Sequence, residues 1–251
     1  MRICLFIIAT VLLVIFVFPL SNYIVTGSEE ITSWTNKTQE NYAFVTEWSS
    51  KGTGNGQFLR PHDLEFSNGD KYLYAVDRDG NRIQVFNKNG TFLFKFGEKG
   101  QGDGQFLIPY GLDVDARGHV WVADRGNHRI QQFDSKGKYD EPKIAWSKST
   151  GLTSLIFLDS DKLGYQYRND MFVGDVHNGR IYHFKLNNER DDLILPKVLA
   201  GKSTVNPTVS AAKEIVFGEG FGGITDLTVG PDGYLYVVSI GQGKVFRIVP
   251  N

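Results

Sequence analysis

The sequence predicts an all-β fold, a β-propeller preceded by one apolar helix, and three observations predict it. The chain repeats itself. The stretch GTGNGQFLRPHDLEFSNGDKYLYAVDRDGNRIQVFNKNG, from Gly52, aligns with GQGDGQFLIPYGLDVDARGHVWVADRGNHRIQQFDSKG, from Gly100, so that Asp77 and Arg82 each fall 47 positions before Asp124 and Arg129. Both copies alternate apolar and polar residues in short runs between turn residues, the signature of a meander of strands. The composition agrees, with 28 glycines and 13% aromatic residues and no sustained helical period after the first apolar segment. Repeats of this length with four strands each read as propeller blades.

The elements follow in chain order. Ile3–Leu20 is 18 residues without a charge, with Arg2 before it. About 20 apolar residues span a bilayer as a helix, so residues 1–21 read as a signal anchor, a transmembrane helix with Arg2 on the cytoplasmic side. A cleaved signal peptide is the alternative, with Val25–Gly27 as a weak cleavage site. Either reading puts the rest of the chain outside the cytoplasm, and the sequons at Asn36 and Asn89 are compatible with that. The single cysteine, Cys4, lies in the apolar segment, which excludes an internal disulfide and a cysteine-based zinc site. Residues 22–42 are polar and aperiodic and read as a tether. The propeller takes 43–251.

Ala43–Trp48 reads as a lone strand. The first blade then has strands at His62–Phe66, Tyr72–Val76, Arg82–Phe86 and Phe92–Phe96. The second starts near Pro109. A looser third copy, MFVGDVHNGRIYHFKLNN, belongs to a blade that starts near Leu152, and its Asp175, Asn178 and Arg180 are spaced as Asp124, Asn127 and Arg129 are. The fourth starts near Ile224 and ends at Arg247–Val249 without an outer strand. Ala43–Trp48 is expected to supply that strand and close the ring, since closure removes exposed edges. Glu214–Phe217 is a further strand candidate and leaves room for a degenerate fifth blade.

At Gln105–Phe133 and at Gln57–Phe86 the pattern G-Q-F-x-x-P-x-G-L-x-V, G-x-V-W-V-A-D, N-x-R-I-Q-x-F resembles the NHL repeat. RNDMFVGDVHNGRIYHFKL, FGGITDLTVGPDGYLYVVS and KVFRIV are similar to the later blades of glucose/sorbosone dehydrogenase-type propellers, which often use pyrroloquinoline quinone. NHL propellers include binding modules and a peptidyl-hydroxyglycine (amidating) lyase that carries zinc. Resemblance at this level does not assign an activity.

The balance of 27 basic and 28 acidic residues, with no like-charge block, argues against nucleic acid as a partner. Blade topology places the start of each inner strand beside the loop after the second strand. His62, Arg78, Tyr110, Arg125, His128 and His177 are therefore expected at one mouth of the central channel, where side chains from several blades converge on a protein, peptide or sugar ligand. His62, His128 and His177 are also candidate zinc ligands. The resemblance supports this at Pro61-His62-Asp63, but Pro109-Tyr110-Gly111 departs from it, and ordinary polar rim residues are the favoured reading. No residue is carried over for a quinone. The repeated Asp-x-x-Asn-x-Arg unit reads as a structural joint: Asp77 and Arg82; Asp124, Asn127 and Arg129; Asp175, Asn178 and Arg180. Asp and Asn bond backbone in tight turns, Arg offers a planar fork of donors, and a catalytic site would need different groups from each blade. The glycine runs GTGNGQ and GQGDGQ lack G-K-[ST] and a following helix, so they are not phosphate loops. Asp113 and Asp115 offer too few oxygens for calcium.

Overall fold

The computed structural model describes residues 47–147, 150–199, 204–205 and 210–250. The apolar segment 3–20, the tether 22–42 with Asn36, and residues 43–46 lie outside them. Among the described residues no helix is long and apolar enough to cross a membrane.

The architecture is a four-blade, all-β propeller. Blade one is β1 (Pro61–Phe66), β2 (Leu73–Asp77), β3 (Arg82–Phe86) and β4 (Phe92–Phe96). Blade two is β5 (Pro109–Val114), β6 (Val120–Asp124), β7 (Arg129–Phe133) and β8 (Tyr139–Trp146). Blade three is built on β9 (Leu152–Phe157), β10 (Met171–Asp175) and β11 (Arg180–Leu186), with the short β12 (Leu193–Ile194) against the end of β11. The two-residue β13 (Thr204–Val205) runs parallel to the end of β8. The candidate strand near Glu214–Phe217 is β14 (Val216–Glu219), and it pairs with Arg180–Tyr182 of β11. It thus completes the edge of blade three and begins no fifth blade. Blade four is β15 (Ile224–Val229), β16 (Leu235–Ser239) and β17 (Lys244–Ile248), in that order.

The lone strand expected to close the ring is only partly described. Glu47 and Trp48 lie outside any strand, and the Trp48 indole sits over Gly90 in the β3–β4 turn of blade one. The inner strands lie side by side in the order β1, β5, β9, β15, whereas β1 and β15 lack that packing.

The described core has three inter-blade layers and a smaller cluster of Leu73, Ala75 and Phe86 on the other face of blade one, packed against Phe58 and Phe92. Between blades one and two pack Val76, Ile83, Val85, Leu112, Val122 and Phe133; between two and three, Trp121, Ile130, Trp146, Leu155, Val173 and Tyr182; between three and four, Phe172, Ile181, Ile224, Leu227, Leu235 and Val237. Full burial of one such aliphatic or aromatic side chain contributes about 1.5–3 kcal/mol. Period-2 alternation sends one set of side chains to each neighbouring blade, which is why β6 and β10 are buried on both faces.

The Asp-x-x-Asn-x-Arg units hold the blades to the loops that enter them. Asp77 Oδ1 accepts the amides of Leu59 and Arg60, while its Oδ2 takes Arg82 Nε at 2.9 Å. The Arg82 guanidinium also donates to the carbonyls of Thr53, Gly54 and Gln57. Blade two repeats this: Asp124 accepts Leu107 N, Asn127 Nδ2 and Arg129 Nε, and Arg129 reaches the carbonyls of Gly102 and Gln105. In blade three Asp175 accepts Gly151 N, Asn178 Nδ2 and the Tyr182 hydroxyl, and Arg180 pairs with Glu219 at 3.3 Å. Asp77 and Asp124 are fully buried, and an uncompensated charge left there costs about 3–5 kcal/mol. The glycine runs serve the same loops. Gln57 Oε1 accepts Gly54 N and Gln105 Oε1 accepts Gly102 N, and a Cβ on Gly100 would overlap the Gln105 side chain.

Candidate functional site

Each inner strand opens with a bulge. Pro61 pairs with Asp77 and Leu64 with Ala75; Pro109 pairs with Asp124 and Leu112 with Val122; the same one-residue excess recurs at Leu152–Ser154 and at Ile224–Asp226. A bulge re-aims a side chain. The extra position holds His62 in blade one and Tyr110 in blade two, and the corresponding residues of blades three and four are Thr153 and Thr225. Thr153 Oγ1 bonds the Ile224 carbonyl at 2.7 Å, as His62 Nδ1 bonds the Tyr110 carbonyl at 3.1 Å. Each of these two groups ties its inner strand to the next one.

The turn after the second strand lies beside the start of the inner strand in every blade. Arg78 N donates to Arg60 O, Gly126 N to Leu107 O, Val176 N to Gly151 O and Ile240 N to Gly223 O. These bonds carry Arg78 and Arg125 to the bulge residues. The Tyr110 ring then has the Arg78 guanidinium 4.9 Å and the Arg125 guanidinium 4.5 Å from its centre, and the His62 ring centre at 3.9 Å. Such cation–π contacts contribute about 0.5–2 kcal/mol each, more as water is excluded. Because a carbonyl only accepts, His62 Nδ1 carries its proton toward Tyr110 O, which leaves Nε2 as the other ring nitrogen. Burial, with Arg78, Arg60 and Arg125 nearby, pushes the His62 pKa below its ordinary value against that hydrogen bond.

The other two histidines sit apart from this group. His128 Nδ1 donates to Thr150 O at 3.0 Å, and the His177 ring lies over Gly151. Both therefore meet the segment that leads into β9. Among the described residues, no three His, Cys, Asp or Glu side chains gather so that they could hold a metal. The zinc set His62, His128 and His177 is thus split between two blade junctions, the donors present do not fit a metal, and no step is derived through one. His183 lies elsewhere again, bonded to Asp170 at 2.7 Å and bordered by the rings of Tyr167, Phe172 and Phe217.

Along the inner strands runs a series of carboxylates that link neighbours. Asp63 Oδ2 accepts Leu112 N, Asp113 Oδ2 accepts Phe157 N, and Asp226 Oδ1 accepts Ser154 Oγ. Burial first, then mutual repulsion, pushes Asp63 up to about 6 and Asp113 up to about 7; the same causes raise Glu65. The inner strands thus carry a cationic, aromatic cluster at their starts and linking carboxylates beyond it.

Arg60 and Asp79 join this cluster without standing among the residues that the sequence singles out. Asp79 lies 3.6 Å from Arg78 Nε and 3.9 Å from Arg60 Nη1. A signal for Arg60 was present, since it immediately precedes the Pro61-His62 bulge.

Comparison with known proteins agrees with this architecture. The NHL repeat family model matches residues 106–133, which span the three inner strands of blade two and the turn carrying Arg125. No curated protein matches the chain. Among solved structures, a catalytically inactive virginiamycin B lyase from Staphylococcus aureus with quinupristin is 18% identical over 82% of this chain and 57% of that one, with a TM-score of 0.52. A glucose dehydrogenase is 16% identical over 74% of this chain and 60% of that one, with a TM-score of 0.50. The chain spans under two thirds of the length of either structure. Identities this low carry the fold and none of the chemistry.

Proposed function

We propose that this chain is an NHL-type propeller acting as a binding module, held at the membrane by residues 3–20 with its blades outside the cytoplasm, and that its ligand sits on the mouth formed by blades one and two. One observation carries the reading: the loops of two blades and the bulges of two inner strands deliver His62, Arg78, Tyr110 and Arg125 to a single ring. An aromatic face edged by fixed polar donors is the composition of a ligand site in a concave mouth. The residues of the repeated joint are consumed in holding loops, so the variable residues around Tyr110 are those left to meet a ligand.

Capture by the full chain in detergent micelles on glycan and peptide arrays tests this. Ligands retained by the native chain should be lost on Tyr110→Leu, a change that leaves the buried joints untouched. Retention of the same ligands by that variant, with an unchanged melting temperature, rejects the mouth as the site.

A further inference from the structure

Three guanidinium groups and one imidazole meet at the mouth, and one carboxylate opposes them. Arg78 and Arg125 both lie within 5 Å of the Tyr110 ring centre. Arg60 joins them through Asp79, which stands 3.9 Å from Arg60 and 3.6 Å from Arg78, beyond hydrogen-bond length in both cases. Arg78 Nε is buried and has no hydrogen-bond acceptor among the described residues. Arg125 has no carboxylate partner among them either; its one contact of this kind is the tyrosine ring. A buried donor without an acceptor costs about 1–3 kcal/mol, and protein structures rarely leave one unless something else supplies the acceptor. This is unlike Arg82 and Arg129, whose guanidinium groups are taken up by Asp77, Asp124 and loop carbonyls.

We propose that Arg78 and Arg125, with His62 beside them and the Tyr110 ring as the floor, form an oxyanion site that takes the carboxylate or phosphate group of a small ligand at the channel mouth. It rests on the mouth being the binding site and specifies what binds there. Planar guanidinium forks match both oxyanions in geometry. The ring holds the two forks in place, so little side-chain freedom is lost on binding. The two arginines come from different blades, so an anion between them also bridges the blade one–blade two junction. Further along the inner strands Asp63 and Asp113 hold backbone amides and offer no cation, so the site suits a ligand with one anionic end and a neutral or hydroxylated remainder.

Isothermal titration of the full chain in detergent micelles against glucose, glucuronate and glucose 6-phosphate tests the proposal, because these probes share a hexose ring and differ in charge. Glucuronate and glucose 6-phosphate should bind at least about tenfold more tightly than glucose, and Arg78→Gln and Arg125→Gln should each weaken them about tenfold or more, the size expected for a lost hydrogen bond to a charged group. The stronger of the two names carboxylate or phosphate as the group. Equal affinity for glucose, anion binding unaffected by either arginine variant, or no binding of either anionic probe overturns the oxyanion site. The two readings fail separately. Binding lost on Tyr110→Leu but indifferent to the arginines removes the anion and keeps the mouth, whereas binding indifferent to Tyr110→Leu removes the mouth as well.

Discussion

Asp113 shows at the scale of one residue how a carboxylate is used for linkage at an electrostatic cost. Its Oδ2 accepts the amide of Phe157 and so ties blade two to blade three. Burial and the charges of Glu65 and Asp63 push it up to about 7, against about 3.9 in an unfolded chain. Between those values the folded chain holds a proton that the unfolded chain has released. Stability therefore falls as pH rises from about 4 to about 7. Asp113→Asn keeps an acceptor for Phe157 and removes the titration. The variant should gain on the native chain by about 1 kcal/mol or more on going from pH 5 to pH 8, read by urea denaturation at both values. An identical pH dependence in the two proteins refutes this. The acidic pattern at Asp113 and Asp115 was visible in the sequence. Its use was not, because the partner amide is 44 residues away.

The turn before the third strand makes the same point at the scale of an element. Asn81, His128, Gly179 and Gly243 all have left-handed backbone, with φ of 52°, 53°, 60° and 60°, and each immediately precedes the third strand of its blade. Two glycines and an asparagine are residues that tolerate this region. His128 is thus a turn residue that replaces them, and it bonds Thr150 O much as Asn81 Oδ1 takes the amide of Ile108. The corresponding residue of blade three is Gly179, and His177 stands two positions earlier. His128→Asn should accordingly change stability by under about 0.5 kcal/mol, whereas His128→Val should cost about 1–3 kcal/mol for placing a β-branched residue at positive φ. Thermal denaturation separates the two, and equal midpoints reject the assignment. Strand positions were legible from alternation, to within one residue throughout blade one. The bulges were not, because one extra residue in a strand leaves the apolar period on either side intact.

Over the whole molecule, the blades differ in what covers their faces. Blades two and three pack against another blade on both sides, whereas blade one packs against blade two on one side and under Phe58 and Phe92 on the other, and blade four packs against blade three. Leu64 and Phe66 of β1 are 59% and 42% exposed, and Val245 of β17 is 65% exposed, although the first two belong to an inner strand. Local opening should therefore start at β1 and β17. In hydrogen exchange on the full chain, the amides of β6 and β10 should be the slowest and those of β1 and β17 among the fastest, by two orders of magnitude or more if opening differs by about 3 kcal/mol. Uniform protection across the four blades contradicts that picture.

The sequence by itself determined the propeller, its four recognisable blades, the repeated joint and the apolar segment ahead of them. Each of these is written in local period or in repetition, and period decides which face of a strand is buried. Tertiary structure alone decided that β14 completes blade three, that His62 parts from His128 and His177, and that Arg78 and Arg125 meet on one tyrosine. Those outcomes depend on which blade edge a segment finds and on where a bulge turns a side chain. Neither is encoded in the residue types near it, since the groups that meet at Tyr110 come from bulges and turns 47 or 48 positions apart.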